Sequence, residues 1–276
     1  MNLVVQGPQA GAAHASELAR LSGAKSIEQA GAGAYRLRGA TPNPSLYAYC
    51  QEHRLDCAFR PAGLRFAQLK LLALDMDSTL ISIECIDEIG DLAGMKAEIA
   101  AITAQAMRGE IDYAQSLKRR VELLKGLGIE ALQRVYDQRL RLSPGAETLI
   151  EACRKHGVKL LLVSGGFTFF TDRLKQRLGL DFTISNQLEM HDGKLTGGLV
   201  GRIVDAEAKA ARFREVAHAL GAAREQTVAI GDGANDLKML AEAGTSVAYR
   251  AKPLVKAKAG CALDFSGLDG VLHLFE

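Results

Sequence analysis

Three short apolar runs, each ending in an acidic or glycine-rich turn, restrict the folds open to this 276-residue chain more than any other feature. Residues 71–74 lead into Asp75-Met76-Asp77-Ser78-Thr79, residues 159–163 into Ser164-Gly165-Gly166, and residues 227–230 into Gly231-Asp232-Gly233-Ala234-Asn235-Asp236. A continuous apolar run of this length reads as a strand buried on both faces, as parallel sheets require. Helical patterns separate the runs, at 146–155, 167–178, 206–220 and 236–243. Further strands are expected at 182–184 and 247–249. Residues 188–204 show hairpin-like alternation around the turn His191-Asp192-Gly193. Alternating β and α segments predict an α/β fold, a doubly wound parallel (Rossmann-like) sheet with helices on both faces.

Two blocks depart from that alternation. Residues 84–140 are helical throughout: Tyr113, Leu117, Val121 and Leu124 recur at i, i+4, i+8 and i+11, and Leu132, Val135, Tyr136 and Leu140 form a later stripe. This block, 84–142, is expected to be a helical cap inserted in the core. The first 66 residues read as a small α+β unit of βαββα type. Its apolar run is 3–5, its helices 13–21 and 44–53, and its strands 35–37 and 57–59. It is either a structural appendage or a regulatory unit. At roughly 150 residues per domain, two compact units are expected, divided into 1–66 and 67–276.

Charge and cysteine usage exclude several classes. Lys+Arg 34 against Asp+Glu 32 gives +2, without a long single-sign run, which argues against a nucleic-acid partner. No apolar stretch approaches the roughly 20 residues that span a bilayer, so no membrane partner is expected. The N-terminus lacks a basic segment followed by a long apolar one. Five widely spaced cysteines without a C-x-x-C pair argue against a disulfide framework or a thiolate zinc site and point to the cytoplasm.

Ligands of open α/β sheets bind beyond the carboxyl ends of the strands. There the three turns deliver Asp75, Asp77, Asp232 and Asp236, the Ser164 hydroxyl and two glycine-rich loops to one rim. Crowded carboxylates call for a cation, and an all-oxygen set suits a hard one such as Mg2+. Asp75 and Asp77, two residues apart, project from the same face of an extended segment. Ser164-Gly165-Gly166 is either a tight turn before a helix or a phosphate seat. By composition alone Lys209 is a solvated helical lysine and Arg120 a surface arginine at the margin of the apolar stripe.

These motifs resemble the haloacid dehalogenase-like phosphohydrolases. The matching elements are DxDxT at 75–79, Ser164 after the second strand, a downstream lysine, and GDGxND at 231–236. Within that superfamily the chain is similar to the phosphoserine phosphatase family, through DMDSTLISIE (75–84), MRGEIDYAQSLKRRVELLK (107–125), SGGF (164–167) and GDGANDLKML (231–240). Tyr113 stands where that family usually has phenylalanine. The resemblance implies magnesium-dependent hydrolysis of O-phospho-L-serine, the last step of phosphorylated serine biosynthesis, through an aspartyl-phosphate. It makes Asp75 the nucleophile and Asp77 the general acid and base. The metal ligands would be Asp75, Asp232 and the main-chain oxygen of Asp77. Ser164, the Gly165 amide, Lys209 and Asn235 would hold the phosphoryl group, with Asp236 positioning Lys209 or metal-bound water. Glu84 and Arg120 would grip the amino-acid end, shielded by Met107 and Tyr113.

Three alternatives stand beside this reading. A phosphotransferase or a phosphatase for another small phosphomonoester would share the catalytic residues. A phospho-acceptor signalling domain would lack the second aspartate and the cap. A dinucleotide oxidoreductase would need a G-x-G-x-x-G after the first strand, which is absent. A homodimer is left open.

Overall fold

In the computed structural model, which describes residues 1–276, the chain forms two sheets. The N-terminal unit runs β1 (Asn2–Gln6), α1 (Ala12–Ser22), β2 (Ser26–Gly31), β3 (Ala34–Arg38), α2 (Pro44–Glu52) and β4 (Asp56–Arg60). Its strands pair antiparallel in the order β2-β3-β1-β4. The βαββα expectation therefore needs one correction. A fourth strand, β2, lies at the edge, and its sequence SIEQAG carries too little apolar pattern to announce itself. α2 starts at Pro44 behind the cap Asn43, whose side chain accepts the Ser45 N–H at 3.0 Å.

Strand periodicity divides this sheet into two faces. Leu3, Val5 and Leu37 pack with Leu18 of α1 and Leu46 and Cys50 of α2. The alternate residues face residues 264–276 of the second unit. There Gln6 Nε2 donates to the Gly270 carbonyl (3.0 Å), and Asp56 accepts the N–H groups of Asp264 (2.7 Å) and Ser266 (2.8 Å). Arg36 donates to the carbonyl oxygens of His273 and Phe275, and Arg60 to Leu274 O and Thr245 Oγ1. Both arginines are buried, and every donor pairing just named is satisfied within the fold.

The larger unit begins after a 3-10 turn at Phe66–Gln68. Its elements are β5 (Leu71–Leu74), α3 (Cys85–Leu92), α4 (Lys96–Met107), α5 (Tyr113–Glu122), α6 (Ile129–Arg134), α7 (Ala146–His156) and β6 (Lys159–Phe167). There follow α8 (Thr168–Leu178), β7 (Phe182–His191), β8 (Lys194–Val200), α9 (Ala206–Ala219), β9 (Thr227–Gly231), α10 (Leu237–Glu242), β10 (Thr245–Tyr249), α11 (Pro253–Lys258) and β11 (Cys261–Leu263). The strand order is β11-β10-β9-β5-β6-β7-β8, parallel except for the antiparallel β7–β8 hairpin at one edge. Leu72, Leu74, Leu160 and Leu162 face one apolar layer, and Leu71, Ala73, Leu161 and Val163 face the other. An unbroken apolar run is what a strand covered on both sides needs.

β5 lies centrally, with β6 on one side and β9 on the other. The chain thus winds outward in both directions from β5, and the crevice beyond its carboxyl end is the switch point of the sheet. α3 to α6 form the cap. Its two stems pair with each other: Ser82 N–H donates to Arg141 O (2.9 Å) and Ser143 N–H to Leu80 O (2.9 Å). The β7–β8 hairpin braces the cap from the side, where Gly126 N–H donates to Leu195 O and Leu195 N–H to Leu127 O, both at 2.8 Å. No helix is long and apolar enough to cross a membrane.

Candidate active site

The site forms where the chain leaves β5, β6 and β9 beneath the cap. After β5 the backbone stays extended at Asp75 (ψ 162°) and Asp77 (ψ 133°), then reverses at Ser78, whose φ of 58° is left-handed. That reversal lets the Ser78 N–H reach Ile83 O (3.1 Å), its hydroxyl donate to Glu84 Oε1 (2.7 Å), and the Cys85 N–H donate to Asp77 Oδ1 (2.8 Å). Asp75, Asp77 and Glu84 thereby line one cavity of about 710 Å³. Gly165, Asn235 and Asp232 line it from the core, and Met107, Tyr113 and Arg120 from the cap. Met107 is 69% exposed and so stands at the rim.

Two expected residues lie behind the wall. Lys209 and Ser164 are fully buried. Lys209, in α9, donates to Asp75 Oδ1 and to Asp236 Oδ1 (2.7 Å). Its helix is capped by Asp205, which accepts the Ala208 N–H at 2.8 Å. Ser164 Oγ accepts the Gly166 N–H at 2.8 Å, so in this structure it shapes the turn. The oxygens of Asp75, Asp232 and Asp236 lie within 4.8 Å of one another. Asp77's carboxylate is outside that cluster. Thr79 Oγ1 donates to Asp232 Oδ1 (3.2 Å), and Asp236 Oδ2 accepts the Gly233 N–H (3.0 Å).

Three carboxylates against one buried ammonium leave a deficit of positive charge. Burial, with Asp236, Asp232 and Asp77 nearby, drives Asp75 well above the ordinary carboxylate range despite Lys209. Burial followed by the charges of Asp236 and Glu84 pushes Asp232 up to about 6. Burial alone would lower Lys209, yet Asp236 and Asp75 hold it above its usual value. An all-oxygen cluster short of positive charge fits a hard divalent cation, so the residues present suit a bound metal. Burial and then Glu84 raise Asp77 to about 7. Asp77 makes no ion pair and its carboxylate lies outside the Asp75–Asp232–Asp236 cluster, which leaves it free to carry a proton.

Gly165 is held by contacts that local sequence does not reveal. Its carbonyl accepts Tyr113 OH (3.2 Å) from the cap and Asn186 Nδ2 (2.7 Å) from β7. Asn186, buried at 3% exposure, also accepts the Val204 N–H (2.8 Å), fastening the approach to α9. A side chain at Gly165 would meet Tyr113 OH at 2.1 Å. Asn186 escaped sequence reasoning, although an asparagine within strand-like FTISNQLEM was its available signal. Lys252, Asp87 and Ser116 also line the cavity and were not anticipated. Ser116 Oγ is buried without a partner, one turn from Tyr113 and Arg120 on the same helix. Burial raises Asp87, partly offset by the charge of Arg120.

The family model for haloacid dehalogenase-like hydrolases matches residues 72–241, and that of a domain of unknown function (DUF4072) matches 3–46. A phosphoserine phosphatase of Polaromonas sp. is 56% identical over 218 residues, covering 77% of this chain and 92% of the relative. The unliganded structure of a probable phosphoserine phosphatase from Vibrio cholerae is 38% identical, with a TM-score of 0.87 over 99% of this chain and 85% of that one. A phosphoserine phosphatase solved as a phospho-aspartyl intermediate analogue is 39% identical, with a TM-score of 0.71 over 75% of this chain and 99% of that one. The chain therefore belongs to the haloacid dehalogenase-like hydrolases and, within them, to the phosphoserine phosphatase family.

Proposed function

We propose that this chain hydrolyses O-phospho-L-serine to L-serine and phosphate, the last step of phosphorylated serine biosynthesis, with Mg2+ as its metal. One observation carries the reading: two carboxyls of unlike character face one cavity at the end of the central strand. Asp75 is tied to a buried ammonium, whereas Asp77 makes no ion pair and accepts the Cys85 N–H (2.8 Å). That pairing supplies a nucleophile and a proton donor side by side.

Asp75 attacks phosphorus, forming its own acyl phosphate as the bond to the seryl oxygen breaks. Asp77 gives its proton to that oxygen, then as carboxylate takes one from the water that attacks the acyl phosphate. Lys209, Asn235 and the Gly165 amide surround the phosphoryl oxygens, where fixed donors oppose charge at no cost in reorganisation. Asp75, Asp232 and the Asp77 main-chain oxygen would hold Mg2+, which would supply positive charge to offset that of the carboxylates and the phosphoryl oxygens. Asp236 fixes Lys209. Arg120 offers its planar fork to the substrate carboxylate and Glu84 its carboxylate to the ammonium. Residues 1–66 serve as a module docked on the 67–276 catalytic unit, which carries the 84–142 cap. Five unpaired thiols suit a reducing cytoplasm.

Phosphate release from a panel of phosphomonoesters, with and without Mg2+, tests the reading. Phosphoserine should lead the panel, and Arg120→Ala and Glu84→Ala should cost far more on phosphoserine than on an aryl phosphate. Equal losses on both substrates would remove these side chains from substrate selection.

A further inference from the structure

A second cavity lies at the junction of the two units, lined by a different set of residues from the catalytic crevice. It measures about 590 Å³, a size suited to a small metabolite. Gln9, Gln51 and Arg54 line it from the N-terminal unit, and Arg250, Lys256 and Asp264 from the larger one. Its charge is lopsided. Asp264 is its single carboxylate, and Lys256 Nζ holds it at 2.7 Å. Arg54 and Arg250 have no protein acceptor for any side-chain N–H, and neither joins a salt bridge. Their guanidinium carbons instead sit 5.4 Å from the Phe265 ring centroid and 5.3 Å from that of Tyr249. Aromatic faces hold guanidinium planes without using up their donors.

Both arginines sit at backbone reversals. Four non-glycine residues have a left-handed φ: Arg54 (54°), Ser78 (58°), Asp192 (48°) and Arg250 (45°). Ser78 makes the catalytic reversal, and Asp192 tips the β7–β8 hairpin, where aspartate tolerates this conformation. The other two are the acceptor-free arginines of this cavity. Arg54 closes the end of α2, where its N–H donates to Gln51 O (3.2 Å) and the Leu55 N–H to Cys50 O (2.8 Å), a helix end that takes the left-handed form. Arg250 follows β10, with its N–H donating to Leu263 O (2.8 Å). Both reversals turn the side chains toward the cavity rim.

We propose that this junction cavity binds a small metabolite bearing two oxyanion groups, one for each free guanidinium, with Gln9 and Gln51 as neutral donors. Dicarboxylates and phosphorylated metabolites share that chemistry, because the guanidinium fork matches carboxylate and phosphate alike. The site is independent of the catalytic reading, since neither arginine lines the catalytic cavity.

Isothermal titration of the whole protein with succinate and with methylenediphosphonate as probes tests it. Wild type should bind at least one of them saturably, and the tighter one identifies the oxyanion class. Arg54→Gln/Arg250→Gln should weaken that binding at least tenfold while kcat and KM for phosphate release stay unchanged. Arg250→Lys, which keeps the charge and loses the fork, should bind at an intermediate level. The unchanged kcat and KM also show that the variants are folded. Equal binding by wild type and the double variant, or no saturable binding of either probe, would overturn the proposal.

Discussion

Gly165→Ala is the perturbation whose outcome the geometry defines most sharply. A methyl group there would lie 2.1 Å from the Tyr113 hydroxyl and 3.3 Å from the ring carbon that carries it. Non-bonded atoms need roughly 3.5 Å, so the hydroxyl must retreat by more than about 1 Å. That movement stretches its 3.2 Å bond to the Gly165 carbonyl beyond use, leaving Asn186 as the one side chain that still donates to that carbonyl. Overpacking costs about 1–3 kcal/mol and a neutral hydrogen bond about 1 kcal/mol, so the turn is destabilised by roughly 2–4 kcal/mol. A displacement of about 1 Å beside reacting atoms costs on the order of 100-fold in rate. Tyr113→Phe removes the obstructing oxygen and leaves a 3.3 Å contact that a small ring shift relieves. Combined with Gly165→Ala, it should therefore recover at least tenfold in kcat/KM, about 1.4 kcal/mol of coupling. Initial rates of phosphate release from phosphoserine, measured for wild type, both single variants and the double variant, give that coupling directly. Strictly additive losses would refute the reasoning and place the collision of the methyl group elsewhere than at the phenol.

Asp77→Asn should give a burst of phenolate from p-nitrophenyl phosphate followed by slow turnover, because an aryl leaving group needs little protonation while the attacking water still needs a base; rapid-quench kinetics would detect it, and wild-type turnover of phosphoserine would discount Asp77. Lys209→Met leaves Asp75 and Asp236 without their buried ammonium and should cost about 3–5 kcal/mol in urea unfolding of metal-free protein, with added Mg2+ restoring part of the loss. The two unfolding curves lying within 1 kcal/mol would contradict that account. His273 is held below its ordinary value of 6.5 chiefly by burial, and its Nδ1–H donates to Gln6 Oε1 at 2.7 Å. A depressed histidine stabilises the fold above about pH 6.5, and this contribution is lost as pH falls from there through its lower folded value, because the unfolded chain binds the proton first. Urea unfolding at pH 7.5 and 5.5 should show a loss that His273→Asn diminishes, and an equal loss in both proteins would rule the histidine out.

The central sheet was legible because its strands are buried on both faces, which writes them as unbroken apolar runs. Strand ends then located Asp75, Ser164 and Asp232 by position alone. What escaped notice depends on partners distant in sequence. β2 is an exposed edge strand, so burial never imposed a pattern on SIEQAG. Residues 250–276 fold as short turns, α11 and β11, held by Asp56, Arg36 and Arg60 from two hundred residues earlier. An arginine at alternate positions of YRLR hints at a polar second face without naming what covers it. Lys209 illustrates the same limit: its helical pattern says solvent, and only the fold brings it between two carboxylates.

The clasp between residues 2–60 and residues 264–276 also sets an order of events during synthesis. At about 5–20 residues per second, the N-terminal strands leave the ribosome some tens of seconds before the segment they hold. Through that interval Arg36 and Arg60 lack the carbonyl acceptors of residues 273–275, Asp56 lacks its amide donors, and the face bearing Val4 and Ala58 stays uncovered. The first unit to be made is therefore the last to be finished, and its half-built sheet is where a nascent chain is most open to chaperones and to mispairing.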